Sequence, residues 1–152
     1  MPRILRTEVV KAARSLIPTR FQHQGRCPGN RRQGGIDCAG EIVCTGQLIG
    51  EILEDFIGYA RYSSYKYLLP LVEKNLIIAD GPALGRVVLF NMFRKNPLPT
   101  HIGILSDKGL IHAYEDVGYV AEHNMSQSIP KRAWMWSDRI HSYWDFKGVV
   151  TW

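Results

Sequence analysis

The hydrophobic pattern changes its period once along this chain, and that change constrains the fold more than any other feature. Up to about residue 76, apolar residues recur at helical spacing, whereas from residue 85 short apolar runs alternate with glycine-containing turns. Helices followed by consecutive strands predict an α+β protein in which N-terminal helices pack on an antiparallel β-sheet. With 152 residues, the chain is expected to form a single domain over residues 1–152 with one core.

The N-terminal part is predicted to hold one helix and one long loop. Residues 7–17 place apolar side chains on one helical face, Thr7 is the expected N-cap, and Pro18 ends the helix. Residues 18–36 are rich in glycine, arginine and glutamine and have little periodicity, which predicts a loop. This loop leads directly into the second predicted helix.

The second predicted helix begins at about Cys38 and extends to Phe56. Asp37 stands where an N-cap belongs, because its carboxylate can accept from the free N–H groups of the first turn. The expected buried stripe of this helix consists of Ile42, Leu48, Ile49, Ile52, Leu53 and Phe56. A tyrosine-rich stretch at residues 58–67 is expected to form a surface loop or a groove wall, and a short helix is predicted near residues 66–76.

The second half of the chain reads as short strands. They are predicted at residues 85–90, 101–106, 109–114 and 118–124, with a hairpin turn at Lys108-Gly109. A short helix near residues 128–137 and a last strand within residues 143–152 complete the predicted order.

The formal net charge of +5 is moderately basic. Such a charge can favour nucleic acid, an anionic membrane or an acidic polymer such as bacterial cell wall, or it can be a plain solvated surface. The basic residues are not interleaved with stacking aromatics in a recognisable module, so no nucleic-acid partner is expected. No apolar run reaches the roughly 18 residues that span a membrane, so no membrane insertion is expected either.

The three cysteines point away from disulfides and metals. Their number is odd and they form no C-x-x-C pair, which argues against a full disulfide framework and against a zinc ribbon. We therefore predict no structural zinc, and the cysteine chemistry considered below needs neither a metal nor an organic cofactor. Cys27 and Cys44 are expected to be small buried thiols.

Cys38 stands out because it lies in the first turn of a predicted helix. The helix start carries about half a positive charge and free N–H groups, and both favour a thiolate. The adjacent carboxylate of Asp37 opposes this effect. A nucleophile and a buried structural thiol are both compatible with the spacing, and a nucleophile would need a histidine to form a thiolate–imidazolium pair.

Two of the five histidines are placed to provide that partner. His101 and His112 lie on the two strands of one predicted hairpin, so their side chains can meet across the sheet and one can orient the other. His123 and His141 have no comparable partner in the sequence. His23, in the loop before the cysteine, could line the same cleft.

Three motifs in order resemble those of the NlpC/P60 family of cysteine peptidases. They are GGIDCAGEIV at a helix start, LPTHIGIL on a strand and GLIHAY on the next strand. The upstream TRFQHQGR resembles the loop before the family's cysteine, and GPALGRVVLF stands at the family's strand that follows a P-G-D sequence. The resemblance covers about residues 7–124.

The resemblance implies a reduced papain-like α+β domain with a catalytic triad. By resemblance, Cys38 is the nucleophile, His101 the general base and His112 the orienting residue. The family cleaves peptide stems of bacterial peptidoglycan, typically between D-γ-glutamyl and a diamino acid. Asp37 is then implied to receive a substrate ammonium group. Phe21, His23 and Arg26 of the preceding loop are expected to line the substrate site. The charges of Arg26, Arg31 and Arg32 either hold stem carboxylates or are plain solvated charges.

Three positions depart from the family's pattern. Ala39 replaces a frequent serine, Phe21 replaces a common tyrosine, and Arg86 stands where an aspartate is usual. The first two concern the surroundings of the cysteine and the substrate, so they bear on specificity. They also motivate an alternative, in which the chain is a catalytically decayed structural component of the tip or hub of a bacteriophage-like tail.

The DCAG form, the HQGR loop and the compact length resemble the version found in bacteriophage and gene-transfer-agent tail clusters. The N-terminus mixes charges and has no apolar signal segment, so the expectation is synthesis in the bacterial cytoplasm and delivery to the cell envelope on a tail. Tail hub or tip proteins are then the expected partners. The tryptophan-rich end could contact them or could complete the core; it contains Trp134, Trp136, Trp144 and Trp152.

Overall fold

A computed structural model describes residues 3–60, 65–93, 98–132 and 134–150. The helices are α1 (Arg6–Arg14), α2 (Cys38–Leu48) and α3 (Tyr65–Asn75). The strands are β1 (Arg26–Cys27), β2 (Gly35–Ile36), β3 (Leu76–Ala79), β4 (Val87–Phe90), β5 (His101–Ser106), β6 (Gly109–Ala113), β7 (Val120–His123) and β8 (Ile140–Phe146). The predicted α+β class, with helices preceding the main sheet, is confirmed.

The main sheet has six antiparallel strands in the order β3-β8-β4-β5-β6-β7. The last strand, β8, lies between β3 and β4, and neither β3 nor this insertion follows from any sequence pattern. The loop expected at residues 18–36 contains the short antiparallel pair β1–β2, which lies outside the main sheet.

The N-terminal helix starts one residue earlier than predicted and does not use Thr7 as its N-cap. The N-cap is Leu5, whose N–H donates to the Glu8 carboxylate at 2.8 Å. A carboxylate in the first turn thus satisfies a free donor and also stabilises the positive end of the helix.

The second helix is shorter than predicted and ends at Leu48. Gly50 has a φ of +84°, a left-handed conformation that stops the helix, and residues 51–60 have no regular structure. The predicted stripe is therefore wrong beyond the helix end, with Leu48 57% and Ile52 77% exposed. Ile42 is buried as expected, while Ile49, Leu53 and Phe56 pack against the core from a non-helical segment.

The strand predictions were better near the first hairpin than near the C-terminus. β5 has the predicted bounds, but the turn that links it to β6 consists of Asp107 and Lys108, one residue earlier than predicted. The helix predicted at residues 128–137 is wrong; a 3₁₀ turn at Trp136–Arg139 is found instead. β8 begins three residues before the predicted last strand.

The sheet is covered on both faces. α1, α2 and α3 bury the first face, where Ile102 and Ile104 of β5 belong to the larger hydrophobic cluster. On the opposite face, Leu105 and Leu110 pack with Trp136 and with residues that follow β7. Because side chains alternate along a strand, His101 and His112 point to this second face.

Two of the four tryptophans complete the core, because Trp136 is fully buried and Trp144 nearly so. Trp134 is half-buried, and Trp152 lies outside the described residues. Of the tyrosine-rich stretch, Tyr67 is buried in α3 and Tyr59 is half-buried, while residues 61–64 also lie outside the described part. None of the helices described is long and apolar enough to cross a membrane.

Arg86 has a structural partner that accounts for its charge. Its Nε donates to Asp145 at 3.2 Å, and Arg6 donates to the same carboxylate at 2.9 Å. This shared carboxylate ties α1 and the segment before β4 to β8, and all three side chains are at least four-fifths buried.

Candidate active site

The carboxylate of Asp37 caps α2, as predicted, and binds four donors. Oδ1 accepts from the Gly40 N–H at 2.8 Å and from Arg26 at 2.9 Å. Oδ2 accepts from the Gln24 N–H at 2.9 Å and from the hydroxyl of Tyr59. Because a carboxylate has about four acceptor positions, this residue, which is only 4% exposed, is fully occupied.

Arg26 binds the carboxylates of Asp37 and Asp55. Its guanidinium donates to Asp37 at 2.9 Å and to Asp55 at 2.8 Å, and it also contacts the hydroxyls of Tyr59 and Tyr67. Its side chain is 17% exposed and is absent from the lining of the cavity beside Cys38. The guanidinium therefore fixes the position of Asp37 without lining this cavity, and its predicted contact with substrate carboxylates stays a prediction.

Cys38 opens into a small cavity of about 50 Å³. The lining consists of Phe21, His23, Asp37, Cys38, Ala39, Tyr59, Tyr67 and Glu115. The structure thus brings together four of the predicted residues and adds two tyrosines and a glutamate that the sequence analysis missed. The volume admits one small group, such as a carbonyl, so a peptide would have to lie across the opening.

The cavity contains a phenolic hydroxyl, which comes from Tyr59 and not from position 21, where the chain has a phenylalanine. Phe21 lines the cavity and bridges to Ile36 of β2, and the Tyr59 hydroxyl reaches Asp37 in the same cavity. Burial, followed by the charge of Asp37, raises the pKa of Tyr59, so its proton stays in place as a donor. The cluster of tyrosines at residues 58–67 was the sequence feature that could have indicated Tyr59 as part of the site.

The Cys38 thiol is protonated in the resting structure. Burial, followed by the charges of Asp37 and Glu41, raises its pKa, and the backbone N–H groups of Ile102 and Ala39 only partly oppose this. The expected thiolate–imidazolium pair is therefore not the resting state. The field of the helix start is outweighed because the sulfur is desolvated and lies beside a carboxylate.

Glu41 is a buried carboxyl that the sequence analysis did not single out. It lies one helical turn after Cys38, is fully buried, and has no hydrogen-bond partner for either oxygen among the described residues. Burial raises its pKa well above the usual value, and the backbone of Ala113 opposes this only in part. Burial therefore favours the uncharged carboxyl, and burial and Asp37 come before Glu41 among the causes of the raised Cys38 pKa.

The predicted contact between His101 and His112 is present. Nε2 of His101 lies 2.8 Å from Nδ1 of His112. Gly103 makes this possible, since a Cβ there would lie 2.6 Å from the Leu110 side chain and 3.0 Å from the His112 Cβ. Burial lowers the pKa of His101 to about 3, so both members of the pair are neutral imidazoles.

His123 also has a partner, contrary to expectation. Its Nδ1 lies 2.8 Å from Nε2 of His112. The signal was present in the sequence, because His101, His112 and His123 are spaced by 11 residues on three successive strands. His141, in contrast, is exposed on β8 and bonds the neighbouring Ser142.

Aromatic rings cover the two buried histidines. The ring centroid of Trp136 lies 5.4 Å from that of His101 and 4.6 Å from that of His112, and Tyr114 lies 5.1 Å from His101. These rings keep water from the imidazoles and explain why the charged forms are disfavoured there.

The two halves of the site approach each other at the start of β5. The Cys38 sulfur faces the backbone N–H of Ile102, the residue after His101. Among the residues that the structure describes, no hydrogen bond joins Cys38 to His101. Nδ1 of His101 remains available, because His112 is bonded to Nε2. Proton transfer between Cys38 and His101 would need a rearrangement that brings the sulfur and the imidazole together; catalytic hydrogen bonds often tighten only when substrate is bound.

The other two cysteines differ from each other. Cys44 is buried, as expected, whereas Cys27 is exposed because it lies on the short strand β1 outside the core. In the part of the chain that the structure describes, no group of three or more His, Cys, Asp or Glu side chains is placed to hold a metal ion.

Comparison with known proteins identifies the fold. No protein-family model matches the sequence, and no curated protein matches it by sequence. Among solved structures, an NlpC/P60 family protein from Bacillus cereus superposes with a TM-score of 0.60 at 12% identity, over 95% of this chain and 41% of that one. The chain therefore spans about two fifths of the length of this neighbour.

Two further structures agree. The NlpC/p60 domain of the peptidoglycan hydrolase SagA matches with a TM-score of 0.52 and 20% identity, over 78% of this chain and 87% of that one. NlpC1 from Trichomonas vaginalis superposes with a TM-score of 0.55 at 18% identity, over 90% of this chain and 43% of that one. The structural neighbours are thus NlpC/P60 proteins, and this chain has the NlpC/P60 fold.

Proposed function

We propose that this protein is a cysteine peptidase that cleaves the peptide stems of bacterial peptidoglycan. The observation that carries the proposal is the placement of Cys38, at a capped helix start, in a cavity next to the strand that holds the bonded pair His101–His112. One neighbour in fold is described as a peptidoglycan hydrolase, which supports the choice of substrate.

The proposed chemistry is acyl transfer through a thioester. His101 takes the thiol proton on Nδ1 as the Cys38 sulfur attacks the scissile carbonyl, and then gives it to the leaving amine. Water, deprotonated by His101, hydrolyses the thioester and releases the acid. Backbone N–H groups at the start of α2 stabilise the negative oxygen of each tetrahedral intermediate.

The resting protonation states shape this mechanism. Since the thiol and the imidazole are both neutral at rest, the proton moves during the attack and not before it. A substrate carbonyl that displaces water from the cavity is then the event that brings sulfur and imidazole together.

We propose that Asp37 contacts the substrate through an exchange of donors. Both of its oxygens are occupied, so an incoming ammonium group has to replace one donor. The Tyr59 hydroxyl is the donor that lines the cavity, and it is therefore the one that a substrate can displace. Cleavage between D-γ-glutamyl and a diamino acid is the specificity that this arrangement is proposed to serve.

Digestion of purified peptidoglycan tests the proposal. The wild type should release muropeptides, and Cys38→Ala should reduce release by at least about 1000-fold, because it removes the nucleophile. Cys27→Ala is the matched control, since this exposed thiol lies outside the cavity. Equal digestion by wild type and Cys38→Ala would contradict the proposal.

A structural role without catalysis is the second candidate. The raised pKa of Cys38 and the missing bond to His101 favour it. Alkylation of Cys38 in the Cys27→Ala background tests it. A rate that falls at or above an ordinary thiol pKa, about 8.5, together with no digestion, supports this role. Muropeptide release by the Cys27→Ala variant, lost when Cys38→Ala is added, supports the peptidase whatever the pH dependence of the alkylation rate.

We further propose that the protein reaches the cell envelope on a phage-like tail, bound to hub or tip proteins. The DCAG form and the HQGR loop of the sequence support this route. Mass spectrometry of purified tail particles from a producing cell tests it: the chain should be present in a fixed ratio to tail proteins, and its absence would contradict the route.

A further inference from the structure

Three imidazoles form one continuous hydrogen-bonded row across β5, β6 and β7. Nε2 of His101 bonds Nδ1 of His112, and Nε2 of His112 bonds Nδ1 of His123, each at 2.8 Å. His101 and His112 are buried, whereas His123 is half-exposed. The row therefore leads from the proposed catalytic base to the solvent edge of the sheet.

The sheet register explains why the row is straight. His112 lies opposite Ala121 and His123 lies opposite Leu110, so each histidine is displaced by two residues from the next. Such diagonal neighbours on one face are within reach of ring side chains. Each link joins Nε2 of one ring to Nδ1 of the next, so all three rings have the same polarity.

This polarity determines which nitrogen of His101 is free. A neutral imidazole has one N–H and one lone pair. If Nδ1 of His101 is to accept a proton, Nε2 must carry the hydrogen and donate it to His112. His112 must then donate from Nε2 to His123. In the reverse order the hydrogen sits on Nδ1 of His101, which can no longer act as a base.

No carboxylate takes the place of His123 in this row. Glu122, the preceding residue of β7, bonds Arg14 and Ser106 instead, and successive residues of a strand point to opposite faces. Trp136 and Tyr114 pack on His112, with centroid distances of 4.6 and 5.9 Å. Nδ1 of His123 is thus the partner of Nε2 of His112.

We infer that His123 is a positioning residue that sets the tautomer of His101 through His112 and carries the imidazolium charge formed in catalysis to the solvent edge. The inference rests on the proposed function.

The protons balance along the row. The thiol proton binds Nδ1 of His101 and the Nε2 proton of His101 moves to Nδ1 of His112. The Nε2 proton of His112 then moves to Nδ1 of His123. The charge ends on His123, where solvent can stabilise it, and the reverse transfer returns a proton to the leaving amine.

Two substitutions separate the tautomer-setting role of His123 from its charge-carrying role. His123→Phe removes the acceptor for His112, whereas His123→Gln keeps an acceptor oxygen but cannot carry the charge. His141→Phe, at an exposed histidine outside the row, is the control. The readouts are muropeptide kcat and KM, and imidazole ¹⁵N NMR, which reports the tautomers of His101 and His112.

The wild type should show Nε2–H tautomers for both His101 and His112. His123→Phe should mix or reverse these tautomers and lower kcat by about 10- to 100-fold with KM unchanged, as is typical when a supporting partner is lost. His123→Gln should keep the tautomers and lower kcat by a smaller factor.

The inference is overturned if His101 carries its hydrogen on Nδ1 in the wild type. It is also overturned if His123→Phe matches His141→Phe in tautomers and kcat. If His123→Phe does not fold, unchanged kcat in His123→Gln overturns the charge-carrying role. If the wild type digests no peptidoglycan, the proposed function fails, while the NMR spectra still support or overturn the tautomer order on their own.

Discussion

The two sides of Cys38 are built from opposite kinds of chemistry. On one side, here called the carboxylate side, lie Asp37, Arg26, Asp55 and Glu41, joined largely by ion pairs. On the other, the histidine side, His101, His112 and His123 are held by hydrogen bonds between neutral rings under Trp136. Fixed charges position the helix start, while uncharged groups line the proposed route of the proton.

The difference shows how a carboxylate can stand beside a proposed nucleophile. The charge of Asp37 is opposed by Arg26 and by three further donors, so its position is fixed without a nearby histidine cation. Burial shifts the pKa values of Cys38 and Glu41 upward and that of His101 downward. Burial therefore favours the neutral form of all three groups, and in the proposed mechanism the charge arises only during the attack.

The largest expected effect is on activity and comes from the histidine side. His101→Gln should lower kcat for muropeptide cleavage by about 100- to 10,000-fold, because it removes the proton acceptor. His141→Gln serves as the control and should retain activity. Retention of more than a tenth of the wild-type kcat by His101→Gln would show that the histidine side does not supply the base.

Next is a stability effect on the carboxylate side. Arg26→Met leaves the carboxylates of Asp37 and Asp55 without their buried cation, which should cost about 3–5 kcal/mol of unfolding free energy. Urea denaturation at pH 7 measures it. The exposed Arg32, substituted by Met, should change stability by no more than about 0.5 kcal/mol. Equal midpoints for the two variants would mean that Arg26 does not stabilise this side.

A smaller effect is expected from Tyr59→Phe. The substitution removes one of the four donors to Asp37 and keeps the ring that stacks on Tyr67. We expect a loss of about 1.5–3 kcal/mol, the range for hydrogen bonds to charged groups. Tyr119→Phe is the control because Arg31 packs on its ring face and that contact is kept. Thermal and urea unfolding of both variants measure the loss, and equal unfolding free energies for Tyr59→Phe and Tyr119→Phe would contradict it.

Per unit of pH, the smallest effect is a slope of the unfolding free energy with pH, which separates the two sides. Because burial raises the pKa of Glu41 in the folded state, its contribution to stability is full below about pH 4.3 and is lost as the pH rises. Relative to Glu41→Gln, the wild type should lose at most about 1.4 kcal/mol per pH unit between pH 4.5 and 7. Parallel stability curves for the two proteins would contradict this.

The histidine side has the opposite sign. Burial lowers the pKa of His101 to about 3, so its contribution is present above about pH 6.5 and is lost as the pH falls toward 3. The two sides therefore shift stability in opposite directions between pH 4.5 and 6.5, and unfolding curves measured across this range distinguish them.

Several features of the site followed from the sequence because they depend on neighbours along the chain. The cap of Asp37 on α2 needs only a helix start within three residues. The contact between His101 and His112 needs only a tight hairpin with a known turn. The α+β class followed from the change in hydrophobic period for the same reason.

Other features depend on groups that are distant in the chain. The partner of Arg26 at Asp55 is 29 residues away, and the segment that presents it becomes irregular only because Gly50 stops α2. The insertion of β8 between β3 and β4 likewise depends on long-range pairing that no local pattern encodes.

The sequence by itself determined which residues were candidates for the chemistry and on which elements they lie, because capping, periodicity and turns are local. Only the tertiary structure decided their protonation states, the inward role of Arg26 and the place of His123 in the histidine row. Those properties are set by burial and by distances in space, and both depend on the packing of the whole sheet against its covering elements.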